Sequence, residues 1–159
     1  MYTLFVDLDG VLVDFESGVE AVTGALPHDQ SVRSMWSKLA RTEGFYEHLD
    51  WTEDGHELWD AVKHLEPTIL TGLPLGKWAE PQKRAWVARE LGPDVPVIAC
   101  MSRDKAKRAR AEAPDEATPI LIDDRERLRE AWEGMGGIFI HHTSARSSLE
   151  ELSQYLPLE

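Results

Sequence analysis

Two carboxylates, Asp7 and Asp9, stand two residues apart directly after the apolar run Leu4–Val6, and Gly10 follows them. A strand rises about 3.3 Å per residue and alternates its faces, so both acids can point the same way where the strand ends. Gly10 lets the backbone turn where a side chain would clash. Two carboxylates at one strand end repel unless one keeps its proton or a cation lies between them. A hard divalent ion such as Mg²⁺ suits carboxylate and carbonyl oxygens. The same residues would also serve as a solvated strand-to-turn junction in which an aspartate caps the next helix.

Such chemistry needs elements to hold it. Strand-like runs are expected at Thr3–Val6, Thr68–Leu70, Val95–Ala99, Ile120–Ile122 and Gly137–Ile140. Helix-like stretches lie between most of them. Trp78–Leu91 carries Trp78, Ala85, Trp86, Ala88 and Leu91 and ends at Gly92-Pro93. Arg125–Glu133 carries Leu128, Ala131 and Trp132, and Ser144–Leu156 carries Leu149, Leu152 and Leu156, with Ser147 and Glu150 spaced as a capping box. This alternation predicts an α/β fold, a doubly wound parallel sheet with helices on both faces. Ligands then bind beyond the carboxyl ends of the strands. Asp7, Asp9, Thr71, Asp123 and Asp124 all fall at such ends, and Lys105 follows one closely. Residues 16–54 fit the alternation less well. There, helices are expected at Phe15–Thr23 and Ser34–Arg41, and a loop at Gly44–Leu49.

A chain of 159 residues fits one domain with a substantial core. A net charge of −12 and a pI near 4.9 argue against a nucleic-acid coat and against docking on an anionic membrane. Local lysines and a metal can still make an acidic protein bind phosphate. Cys100 is the single cysteine, so an intrachain disulfide is excluded and a reducing cytoplasm is the expected compartment. No signal peptide or bilayer-spanning run is expected.

The segment Asp7-x-Asp9-Gly10-Val-Leu-x-Asp14-Phe15 resembles the first motif of the haloacid dehalogenase superfamily of phosphohydrolases. Ile69-Leu70-Thr71-Gly72, Ser102-Arg103-Asp104-Lys105 and Ile120-Leu121-Ile122-Asp123-Asp124-Arg125 resemble its three further elements, in the family's order. Within that superfamily the chain looks most like the 5′(3′)-deoxyribonucleotidases. That likeness adds Asp9–Gly18, Gly44-Phe45-Tyr46, Lys83-x-x-Trp86-Val87, and Leu91-Gly92-Pro93. It spans most of the chain, although the pieces between these anchors do not match closely. Gly72 departs from the pattern, since a second hydroxyl often follows the Thr71 position. The stretch after Lys105 is long, and the insertion at about 16–54 is short for a cap.

The resemblance implies a Rossmannoid fold with a small helical cap inserted after the first strand. It also implies a Mg²⁺-dependent phosphomonoesterase acting on (deoxy)ribonucleoside monophosphates. Asp7 would be the nucleophile and Asp9 the general acid and base. The ion would take the Asp7 carboxylate, the Asp9 backbone carbonyl and Asp124, with Asp123 behind them, although these last two could exchange. Thr71, the Gly72 amide and Lys105 would hold the phosphate, with Lys107 the competing lysine. Phe45 and Tyr46, in the cap, would either stack on a base or form the cap's own core.

Other residues carry less. Lys83 reads as an exposed helical lysine and is left out of the site. Trp59, Trp86 and Trp132 read as core, and Trp36 as the core of the cap. Arg125, Arg127 and Arg129 read as a solvated helix face, with Arg125 near enough to orient Asp124. His141 and His142 point apart on a strand without ligand-spaced partners, so no metal is expected there. A sugar phosphate or a phosphorylated nucleic-acid end is the alternative substrate, and a non-catalytic binding module of the same fold is the third reading. The expected partner is a small phosphorylated molecule, with no membrane and no stable nucleic-acid binding, and a homodimer is left open.

Overall fold

The computed structural model describes residues 1–158. Five strands, β1 (Tyr2–Val6), β2 (Thr68–Gly72), β3 (Val97–Cys100), β4 (Thr118–Asp123) and β5 (Ile138–His141), pair in parallel in the order β3-β2-β1-β4-β5. Alternating residues go to opposite faces. Leu4, Val6, Ile69, Ile120, Ile122 and Ile140 enter one core, and Phe5, Leu70, Ile98, Leu121 and Phe139 the other. This two-sided burial explains why the strands read as continuous apolar runs.

Between β1 and β2 come α1 (Phe15–Thr23), α2 (Val32–Ala40) and α3 (Gly55–Val62). Then follow α4 (Ala79–Glu90), α5 (Lys105–Glu112), α6 (Arg129–Gly134) and α7 (Ala145–Leu152). Residues of α3, α4 and α7 pack into the first core, and those of α5 and α6 into the second. The chain winds outward from β1 to β2 and β3, then returns to β4 and β5 on β1's other side. The strand order therefore reverses at β1, and the crevice at that reversal is where such sheets bind ligands. Asp7 follows β1 directly. Among the described residues, no helix is long and apolar enough to cross a membrane.

Several boundaries differ from the sequence expectation. The helix expected at Arg125–Glu133 is broken into a 3-10 turn, Glu126–Leu128, and then α6. Its start is fixed by the Arg125 amide, which donates to Asp123 Oδ1 and leaves Arg125 extended. The cap of α7 is Ser144, which accepts from the Ser147 amide, so Ser147 is not the capping residue. Helix α3 carries Leu58, Trp59 and Val62 into the core, with no side-chain cap to announce it.

Candidate active site

The carboxyl ends of β1, β2 and β4 bring together Asp7, Asp9, Thr71, Asp123 and Asp124. After Val6 the chain makes one tight turn, with the amides of Val11, Leu12 and Val13 all donating to the Leu8 carbonyl. Gly10 has φ +79, and a Cβ there would collide with Asp124 Oδ2. Glycine is thus required twice, by the backbone and by the space Asp124 occupies.

Two lysines reach this strand end, one from each helical layer. Lys105, on α5, is buried and donates to Asp7 Oδ1 at 3.0 Å and Asp123 Oδ2 at 2.8 Å. Burial pulls its ammonium pKa down, but the charges of Asp7 and Asp123 outweigh that and raise it. Lys107 is exposed on the same helix. The other is Lys83, on α4, only 1% exposed. Its Nζ donates to Asp9 Oδ2 at 2.9 Å, Thr71 Oγ1 at 2.9 Å and the Gly72 carbonyl at 2.6 Å, and lies 4.4 Å from the centre of the Tyr46 ring. The expectation of an exposed lysine is therefore overturned. Ala79, Lys83, Trp86 and Val87 form one buried stripe at helical spacing, and that spacing was the available signal.

The contacts of Lys83 constrain its neighbours. An ammonium only donates, so Thr71 Oγ1 must accept and its own proton is free to go elsewhere. Asp9 Oδ1 is buried with no hydrogen-bond partner. Gly72 leaves the space in which Ser102 Oγ sits, since a Cβ at residue 72 would strike it. A hydroxyl from the loop after β3 thus stands where the chain lacks one at residue 72.

The carboxylates divide by their partners. Both oxygens of Asp123 are engaged, Oδ2 by Lys105 and Oδ1 by the Arg125 amide. Burial and the Asp7 charge still push its pKa up, against Lys105. Asp124 is pushed up further, to about 8, by burial and by the charges of Asp7 and Asp123, with Arg125 opposing. One oxygen from each of Asp7, Asp123 and Asp124 can gather within 4.8 Å. An all-oxygen, carboxylate-rich cluster with unrelieved negative charge fits a hard divalent cation such as Mg²⁺.

Phe45 and Tyr46 are buried. Tyr46 stacks on Trp78 and Phe15 with centroids 5.6 and 6.0 Å apart, and Phe45 packs edge-on against it at 5.1 Å. Burial and Asp9 raise the Tyr46 pKa far above the ordinary phenol value, so it stays a neutral phenol. Phe15, Trp36 and Trp78 of this cluster are only half-buried. Trp59, Trp86 and Trp132 are core. His142 pairs with Ser148 Oγ at 2.7 Å, and His141 Nε2 lies 3.1 Å from the Asp124 carbonyl.

No protein-family model matches the sequence, and no curated protein matches it. Solved structures do match. A hydrolase from Streptococcus pneumoniae TIGR4 aligns with TM-score 0.58 and 13% identity over 96% of this chain and 98% of that one. A hydrolase from Pseudomonas syringae aligns with TM-score 0.54 and 13% identity, covering 99% and 100% of the two chains. A candidate beta-phosphoglucomutase from Thermotoga maritima aligns with TM-score 0.53 and 14% identity over 98% and 100%. The fold is the haloacid dehalogenase-like one. At such identities the likeness is one of fold, and the chemistry must be argued from the side chains.

Proposed function

We propose that the protein is a Mg²⁺-dependent phosphomonoesterase of the haloacid dehalogenase type, dephosphorylating (deoxy)ribonucleoside monophosphates. The observation that carries this reading is the pair of buried lysines set on opposite sides of Asp7 and Asp9. Asp7 attacks phosphorus and forms an aspartyl-phosphate, a known form of covalent catalysis. Asp9 gives its proton to the leaving ester oxygen as the P–O bond breaks. It then takes a proton from the attacking water, which releases phosphate and restores Asp7. The partnerless Asp9 Oδ1 is the oxygen available for that proton.

Lys105 holds the Asp7 carboxylate in place and offsets charge on the transferring group. Lys83 supports from the other side, orienting Asp9 and leaving the Thr71 hydroxyl proton to donate to a phosphoryl oxygen. Fixed donors of this kind stabilise the charge that develops in the transition state. Asp7, Asp124 and the Asp9 backbone carbonyl would hold the magnesium ion, and Asp123 would stand behind them, bound to Lys105. When bound, the ion reduces the repulsion between the Asp7 carboxylate and the phosphate dianion.

The partly exposed rings of Phe15, Trp36 and Trp78 are the ones a nucleobase would meet. The burial of Phe45 and Tyr46 favours a second reading, a sugar phosphate, because it leaves both rings in the core of the cap rather than open to a base. The test is phosphate release from nucleoside monophosphates, sugar phosphates and phosphorylated oligonucleotides, with Mg²⁺ and with EDTA. Mg²⁺-dependent turnover of deoxynucleotides is expected. Turnover confined to sugar phosphates would keep the mechanism and replace the substrate. A folded protein inert towards every substrate would refute the enzyme reading.

A further inference from the structure

Side chains alternate along β2, so Leu70 enters the core beneath α5, Thr71 turns towards Lys83, and the next position turns back towards the layer of Lys105. That position is Gly72, whose φ lies outside the left-handed region, so no backbone strain calls for glycine there. What excludes a side chain is space, since a Cβ on residue 72 would collide with Ser102 Oγ. Ser102 is held in place from two directions. The Leu73 amide donates to the Cys100 carbonyl at 2.8 Å, which ties the end of β3 to that of β2. The Lys105 amide donates to the Ser102 carbonyl, which ties the serine to the lysine that holds Asp7. Neither the turn Ser102–Asp104 nor α5 takes a side-chain cap, and among the described residues Ser102 Oγ has no hydrogen-bond partner. The residue is half-buried, and its oxygen is not sealed from solvent.

We propose that Ser102 is a phosphate-binding residue of this site, its hydroxyl donating to a phosphoryl oxygen from the Lys105 side as Thr71 does from the Lys83 side. The assignment rests on the phosphomonoesterase reading above and adds a residue to it. A transferring phosphoryl group spreads charge over three outer oxygens, and fixed donors aimed at them stabilise that charge. Lys105 has three N–H bonds and spends two on Asp7 and Asp123, which leaves one for the phosphoryl group. Ser102 supplies a second donor on that side. Residue 72 is then glycine so that a hydroxyl from the loop after β3 can reach the end of β2.

Calorimetric titration with inorganic phosphate in MgCl₂ tests the assignment. Ser102→Ala should weaken phosphate binding about ten- to hundredfold, the usual worth of a hydrogen bond to a charged group, while its melting temperature stays near that of wild type. Residue 72 offers an independent check. Once Ser102 Oγ is gone, a Cβ at residue 72 finds the residue 102 Cβ at 3.6 Å, an ordinary contact. Gly72→Ser/Ser102→Ala, which moves the hydroxyl to the other side of the same gap, should recover most of the lost affinity. Gly72→Ala/Ser102→Ala, its match in shape without the hydroxyl, should not. Where the double variants do not fold, Ser102→Ala decides alone. Phosphate binding by Ser102→Ala equal to that of wild type would overturn the role of Ser102 and leave the phosphomonoesterase reading intact. Equal recovery by both double variants would show that filling the gap matters and the hydroxyl does not, and would overturn it as well. A wild type that binds no phosphate in MgCl₂ would overturn the phosphate site itself, and Ser102 with it.

Discussion

Lys83→Met is the most informative substitution, because it keeps most of the aliphatic stem and removes only the ammonium. That ammonium is 1% exposed and donates to Asp9, Thr71 and Gly72. Removing one partner of a buried ion pair costs about 3–5 kcal/mol, because the other charge stays behind uncompensated. Asp9 is 24% exposed, so water can relieve part of the loss, and about 2–3 kcal/mol is the better expectation. For a chain of this length that is a fall in Tm of about 4–12 °C. If the ammonium also serves the transition state, kcat should drop by about 10²–10³.

The assay is chemical denaturation of wild type, Lys83→Met, Asp9→Asn and the double variant. Asp9→Asn removes the charge that Lys83 meets, so the two losses should fall short of additivity by about 1–3 kcal/mol. If Lys83→Met unfolds within about 0.5 kcal/mol of wild type and adds simply to Asp9→Asn, the pair is not a buried interaction. Lys83 would then play no part in the charge balance of the site.

Lys105→Ala and Lys107→Ala should separate sharply. The first strips the partner from Asp7 and Asp123 and should lose both stability and turnover, while the second, exposed, should stay within about 0.5 kcal/mol of wild type. Gly10→Ala should abolish any rise in Tm on adding MgCl₂, since its Cβ displaces Asp124 and its φ of +79 disfavours alanine. Without metal, stability should fall as pH rises from about 4 to about 8. In that window folded Asp124 keeps a proton that the unfolded chain, with a carboxyl pKa near 3.8, has released. Thermal melts should show this fall, Asp124→Asn should flatten it, and MgCl₂ should raise Tm more at pH 8 than at pH 5.

The strand centres were legible because two-sided burial leaves no polar alternation to confuse them. Their ends were less so, since Thr71 and Gly72 extend β2 past its apolar run, and β3 starts at Val97 rather than at Val95. Asp7, Asp9, Thr71, Asp123 and Asp124 were placed together from their positions at strand ends, and the structure brings them to one crevice. Lys83 was missed for a physical reason. A periodicity read from apolar residues skips a lysine, even one standing four residues after Ala79 and three before Trp86 on the buried face. Helix α5 hides in the same way, because only Lys105 and Ala109 are buried amid a run of basic residues. The choice between stacking and core for Phe45 and Tyr46 stayed open in the sequence for another reason. Their cover includes Phe15 and Trp78, which are distant in sequence and reach them only when the insertion folds back over α4.

Charge explains why the site is built from both sides of the sheet. Four carboxylates, Asp7, Asp9, Asp123 and Asp124, crowd the adjoining ends of β1 and β4, and two ammonium groups answer them. Each lysine is tied to a different pair of neighbours, Lys105 to Asp7 and Asp123, Lys83 to Asp9 and Thr71. Neither reaches Asp124, which is where the unrelieved charge collects and where the rise in pKa is largest among the acids. A divalent cation carries the charge that this imbalance lacks. A phosphate dianion entering the same crevice would add two negative charges, which makes such a cation and the nearby exposed Arg125 more necessary still. The order of assembly follows from that arithmetic: the cation should bind the empty site with measurable affinity, and phosphate should bind well only after it. Calorimetric titration with inorganic phosphate, with and without MgCl₂, tests this order. Phosphate binding of equal strength in EDTA would mean that the lysines alone suffice, and that Asp124 serves the fold rather than a metal.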